Sequence, residues 1–154
     1  MNMFRHWLGC LIVVSSIVAA GCQRDASNVT ALGMQDAWVR APLPGRTMTA
    51  GYVSIANATQ NERVITGVSS AQFARVELHE TTMVDNTMQM RQLTQLTIPA
   101  GATAALAPGG MHLMLIDARS ALEDGDSVTV TFTVSDGSQI DLMMPVSKDN
   151  PYER

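Results

Sequence analysis

His112 and Met114 stand two residues apart, just after a Pro108-Gly109-Gly110 turn. In an extended chain, residues i and i+2 point to the same face. An imidazole and a thioether can therefore converge on one point. The same pair of donor types occurs upstream as His79 and Met90. The third histidine, His6, falls in an N-terminal leader, so His79 and His112 are the only two expected in the mature chain. Thioethers favour Cu(I), whereas zinc prefers thiolate, imidazole or carboxylate. Two neutral imidazoles with two thioethers would hold Cu(I) tightly and Cu(II) less well. Without a cysteine thiolate, such a set is not a blue-copper electron-transfer centre.

Strands must position these donors. Val76 and Leu78 alternate with Glu77 and His79, which places the histidine opposite an apolar face. Val84-Asp85-Asn86-Thr87 reads as a turn, so His79 and Met90 flank one hairpin. Met111 to Asp117 forms a further strand, with His112 and Met114 partly exposed at its entrance. Met34–Ala41, Met48–Ala56, Arg63–Ser69 and Thr103–Ala107 read as strands, and Leu93 to Ile98 continues the β pattern. Val128, Val130, Phe132 and Val134 alternate with threonines, and Asp136-Gly137 turns the chain into Ile140, Leu142 and Met144. No segment has a useful helical period. Many short strands with regular turns indicate an all-β antiparallel sandwich or barrel.

The spacing is itself informative. His79, ten residues, Met90, twenty-one residues, His112, one residue, Met114 resembles the H-x10-M-x21-H-x-M signature of the periplasmic copper chaperones called PCu(A)C. The likeness extends over roughly Asp36 to Val146, including the Ala50–Asn57 strand and the Pro108-Gly109-Gly110 turn. Family members often carry methionine directly after the first histidine; Glu80 stands there in this chain. The resemblance implies a cupredoxin-like Greek-key β-barrel and one Cu(I) held by His79, Met90, His112 and Met114. It also implies a copper-accepting partner, either a cytochrome c oxidase subunit during assembly of the CuA centre or another copper chaperone. Some members add a C-terminal extension rich in histidine and methionine that takes more copper. The tail from Lys148 to Arg154 has neither residue, so a single tight site is expected.

Blander readings exist for each residue. A single histidine on a strand is more often structural than a ligand, and methionine is an ordinary core filler. Met143 and Met144 are expected in the core, and Met111, of opposite parity to the proposed ligands, is expected to pack. Met83 and Met88 are left open between outer sulfurs and packing. His79-Glu80-Thr81-Thr82-Met83 starts like a zinc-protease motif, but Met83 replaces the second histidine and the segment is not helical. No nucleophile elbow or phosphate loop is present, so no enzyme is indicated. A net charge of −4 without a basic run argues against nucleic acid. Two other functions fit the same features: copper sequestration or resistance, and a lipoprotein interaction module without metal.

Trp7 to Ala20 is apolar, follows Arg5-His6 and ends in Ala19-Ala20-Gly21-Cys22. It is short for a membrane span and reads as a signal peptide over residues 1–21. Residues 22–33 read as a polar tether, 34–147 as the copper-binding β domain, and 148–154 as a loose polar tail. Cys10 and Cys22 are the only cysteines, so the domain itself has none. Thioethers suit an oxidising periplasm, because they remain soft ligands without forming disulfides. Gly21-Cys22 resembles a bacterial lipobox, with Cys22 lipidated as the new N-terminus and anchoring the protein to the membrane. Val18-Ala19-Ala20 also suits ordinary signal peptidase cleavage. Mass spectrometry of the native N-terminus distinguishes the two. An acylated Cys22 start is expected, and a free start at Gly21 contradicts lipidation.

Overall fold

The computed structural model describes residues 32–153. The leader and Cys22 lie outside the described residues. Ten strands follow one another: β1 (Leu32–Arg40), β2 (Thr49–Asn57), β3 (Arg63–Ser69), β4 (Phe73–Val84), β5 (Thr87–Leu93), β6 (Leu96–Ile98), β7 (Thr103–Leu106), β8 (Met111–Ala118), β9 (Ser127–Val134) and β10 (Gln139–Ser147). No helix occurs among the described residues. The pairing order is β5-β4-β8-β2-β1-β10-β9-β3-β6, with β7 also on β2. The architecture is an all-β, cupredoxin-like sandwich. It is mixed rather than purely antiparallel, because β1 and β10 pair in parallel through Val39–Val146 and Arg40–Ser147. That short contact joins the two halves of the sandwich.

Alternation decides the core. Val128, Val130, Phe132 and Val134 are buried along β9, and Leu113 and Leu115 along β8. They meet Val39, Val53, Ile55, Ile65, Phe73, Leu78, Ile98 and Met144 in one cluster. Gly51 faces Leu113, and a Cβ there would meet a Leu115 methyl at 3.1 Å. Glycine lets β2 approach β8 closely on the core side. The opposite side of β8 is thereby left to present His112 and Met114.

Four expectations need correction. Met143 is 71% exposed, because its neighbour Met144 takes the inward position and successive strand residues point to opposite faces. Residues 93–98 are not one strand: the chain breaks at Thr94-Gln95, leaving β5 on the edge of β4 and placing β6 on β3 in the other half. β1 starts at Leu32, which is buried and pairs with Asn57, so ordered structure reaches into the stretch read as tether. The tail is also held to the domain. The Lys148 amide donates to Asp124 Oδ1 at 3.0 Å, and the Tyr152 hydroxyl donates to the Ala37 carbonyl at 3.3 Å.

Candidate metal centre

β5, β4 and β8 form three adjacent strands whose outer face carries the donors. The register sets His79 directly opposite His112, Glu77 opposite Met114, and Thr81 opposite Met90. Facing residues share a side of the sheet, so His79, His112, Met90 and Met114 all project from the same face. His79 is the middle of the group. His112 is its direct cross-strand neighbour, with ring centroids 5.9 Å apart. Met90 and Met114 are its diagonal neighbours on the two flanking strands. Such diagonals lie about 7–8 Å apart, within reach of long side chains. Sequence spacing shows two pairs of donors, and the β4–β8 register makes them one group.

Hydrogen bonds fix which ring nitrogens are free. His79 Nε2 lies 2.9 Å from Glu77 Oε2. A carboxylate only accepts, so Nε2 of the neutral ring carries the proton. His79 Nδ1 is then a lone-pair nitrogen, and it is buried without a hydrogen-bond partner among the described residues. His112 Nδ1 lies 3.1 Å from the Gly110 carbonyl and donates to it. This leaves Nε2 of His112 as its lone-pair nitrogen. Histidines that bind metal are commonly held in this way, with the other N–H given to a carboxylate or carbonyl. An orphaned buried nitrogen beside a second oriented imidazole fits a metal ion. Among the described residues no group of three or more His, Cys, Asp or Glu exists that could hold a metal. The further soft donors on this face are the thioethers of Met90 and Met114, which suit a soft ion.

The Gly110 carbonyl has a second role. It also accepts the Thr81 amide at 3.2 Å, tying β4 to the turn that opens β8. Gly109 adopts φ of +83°, a left-handed conformation that glycine tolerates without strain. The turn thus aims one carbonyl at both the His112 ring and the backbone two residues past His79. His112 is only 5% exposed, which departs from the expectation of a partly exposed ligand. The strand that carries it, β8, lies between β4 and β2, whereas Met114 is half-buried and Met90 is 52% exposed. Met111 packs against the core, as its parity predicts. Glu77 and Gly110 are the residues that the spacing did not single out. Glu77 shares the face of His79 at i−2, which was the available signal.

A family model for LpqE-like proteins matches residues 32–146. The chain belongs to the LpqE-like family. A Leifsonia xyli protein named "Putative lipoprotein Lxx21020" is 34% identical over 140 residues, covering 90% of this chain and 80% of that one. The solution structure of CuI-DR1885 from Deinococcus radiodurans is similar, with 29% identity, 84% of both chains covered and a TM-score of 0.63. A copper-bound PCuAC domain from PmoF2 shares the fold, with 22% identity, a TM-score of 0.64 and coverage of 77% of this chain and 94% of that domain. The LpqE-like family is related to PCuAC, and the chain is not an enzyme.

Removing the Glu77 carboxylate tests the orientation of His79. Outer-shell partners of this kind typically govern metal affinity by about 10–100-fold. Glu77→Ala is expected to lower Cu(I) affinity by roughly that factor while leaving the apo fold intact. Competitive Cu(I) titration beside denaturant unfolding checks this, and unchanged affinity would contradict the assigned ring orientation.

Proposed function

We propose that this protein is an exported copper chaperone that binds one Cu(I) through His79, Met90, His112 and Met114 and hands it to an acceptor. The observation that carries the reading is the buried Nδ1 of His79, without a hydrogen-bond partner among the described residues, set 5.9 Å ring to ring from the oriented imidazole of His112. A buried polar atom without a partner costs free energy, so such atoms are rare unless something else satisfies them. Cu(I) is that partner. Here copper is cargo, and the protein's task is to hold it without oxidising it and to release it on contact.

The geometry suits release. The imidazoles are enclosed and oriented from behind by Glu77 and Gly110. Met90 sits on an edge strand and is half exposed. An acceptor ligand can displace a thioether on the open side while the histidines keep hold of the ion. Transfer then proceeds by ligand exchange inside a docking complex, and free Cu(I) never enters solution. The resemblance to PCu(A)C chaperones supports a copper-accepting protein of cytochrome c oxidase assembly, at its CuA centre, as the acceptor. The copper-bound forms of DR1885 and of the PmoF2 domain support the cargo. The names of relatives as lipoproteins, with Gly21-Cys22 in this chain, support export and a lipid anchor facing the periplasm.

The test separates ligand from core. Met114→Ala should lower Cu(I) affinity by more than the roughly 10–100-fold of an outer-shell change. Leu113→Ala, one residue away and fully buried, should instead destabilise the apo-protein by roughly 2–5 kcal/mol and leave Cu(I) binding largely intact. Denaturant unfolding beside competitive Cu(I) titration reads both quantities. One tight equivalent is expected for the wild type. A Met114→Ala protein that unfolds easily yet binds Cu(I) like wild type would sink the proposed site.

A further inference from the structure

The β4–β5 hairpin continues past the candidate site and carries sulfur that the four ligands do not use. β5 is exposed from Thr87 to Gln92, so it contributes no face to the core there. Met83 on β4 is 62% exposed, and Met88 on β5 is 67% exposed. Methionine ordinarily fills gaps in a core, and these two fill none. Their placement is specific. Asp85 and Asn86 make the turn with φ of +48° and +60°, Val84 pairs with Thr87, and Met83 pairs with Met88. Bonded and non-bonded pairs alternate along a hairpin. Counted from a two-residue turn, the Met83–Met88 pair is non-bonded, and there facing side chains come closest. Met90 follows Met88 at i+2 on the same face and is diagonal to Met83. All three share the face of His79 and His112.

We propose that Met83, Met88 and Met90 form a second, weaker site for a soft monovalent cation, through which Cu(I) reaches the histidines. The inference rests on the copper reading above and adds a route to it. Met90 belongs to both sets. Cu(I) bound at the tip moves inward stepwise: the bond to one tip sulfur breaks as one to His79 Nδ1 forms, and the bond to the other breaks as His112 Nε2 and the Met114 sulfur complete the inner set. The Met90 sulfur holds the ion throughout. Copper stays Cu(I), and no electron is transferred. No proton need leave, because the His79 proton is on Nε2, held by Glu77. Three thioethers in water, without an imidazole, bind more weakly than the inner set. The gradient therefore runs from the tip toward His79.

Two other exposed methionines serve as controls. Met143 faces Thr129 across β9, and Met48 precedes β2; neither is paired with a second methionine in the sheet register. The full chain, labelled at its methionine methyl carbons, is titrated with Ag(I), a soft monovalent probe that does not change oxidation state. Methyl signals of Met90 and Met114 should shift with the first equivalent. With Met90 held by the first ion, the two sulfurs left at the tip should take the next equivalent, so the signals of Met83 and Met88 shift before those of Met48 and Met143. The double variant Met83→Leu/Met88→Leu keeps apolar side chains of similar size without sulfur. It should lose the second equivalent and retain the first. Met83 and Met88 signals that move no earlier than those of Met48 and Met143, with Met114 responding normally, would overturn the outer site alone. A silent Met114 would contradict the four-ligand reading and the handover together.

Discussion

The pairing of His79 with His112 across β4 and β8 is the constraint on which the site depends. Thirty-two residues separate them in sequence, and only the register brings their rings to 5.9 Å. A slip by one residue would turn every side chain of β8 to the other face. His112 and Met114 would then enter the core, and Leu113 and Leu115 would be exposed. Burial of those leucines against the opposite half of the sandwich therefore specifies the face that carries the histidines as strongly as the core side. Gly51 contributes by letting β2 lie close to them, and the Gly110 carbonyl fixes the end of the register by binding both β4 and the His112 ring.

The two faces of β4 and β8 divide the work. The inner face supplies the apolar burial that holds the fold, and the outer face carries groups whose chemistry would be wasted in a core. Rigid imidazoles lie where the sheet is wide, flanked by strands on both sides. Of the thioethers, Met90 lies on the edge strand β5, where an incoming ligand has access, and half-buried Met114 lies on β8 between β4 and β2. In the proposed reading, affinity and lability are set by different residues: the enclosed histidines would orient the ion, and the exposed Met90 sulfur would exchange. The surface pair Arg91–Glu80, with contacts of 3.0 and 2.6 Å, sits on the other side of the hairpin and contributes little to stability at such exposure.

Much of this was legible in the chain itself. Strict alternation along Val128–Val134 and around His79 gives strand identity and facing, because a period of two has one physical meaning. The Asp85-Asn86 turn is recognisable because both residue types tolerate positive φ. What was not legible is long-range. The β1–β10 parallel contact depends on two strands at opposite ends of the domain, and no local pattern encodes it. The jump of the chain between Leu93 and Leu96 is hidden because both sides of the break are apolar and β-like. The burial of His112 was missed for a related reason: local spacing gives its face, but the flanking strands decide how much water reaches it. Glu77 as the acceptor for His79 was visible in parity, yet its role emerges only once the ring is placed.

The central claim is that one Cu(I) is held by two imidazoles and two thioethers on the outer face of β5, β4 and β8. X-ray absorption spectroscopy of the protein loaded with one equivalent of Cu(I) reads the ligand types directly. The account predicts a Cu(I) edge with both imidazole nitrogen and thioether sulfur in the first shell, in equal numbers. A first shell with no sulfur, or one without imidazole nitrogen, would contradict it.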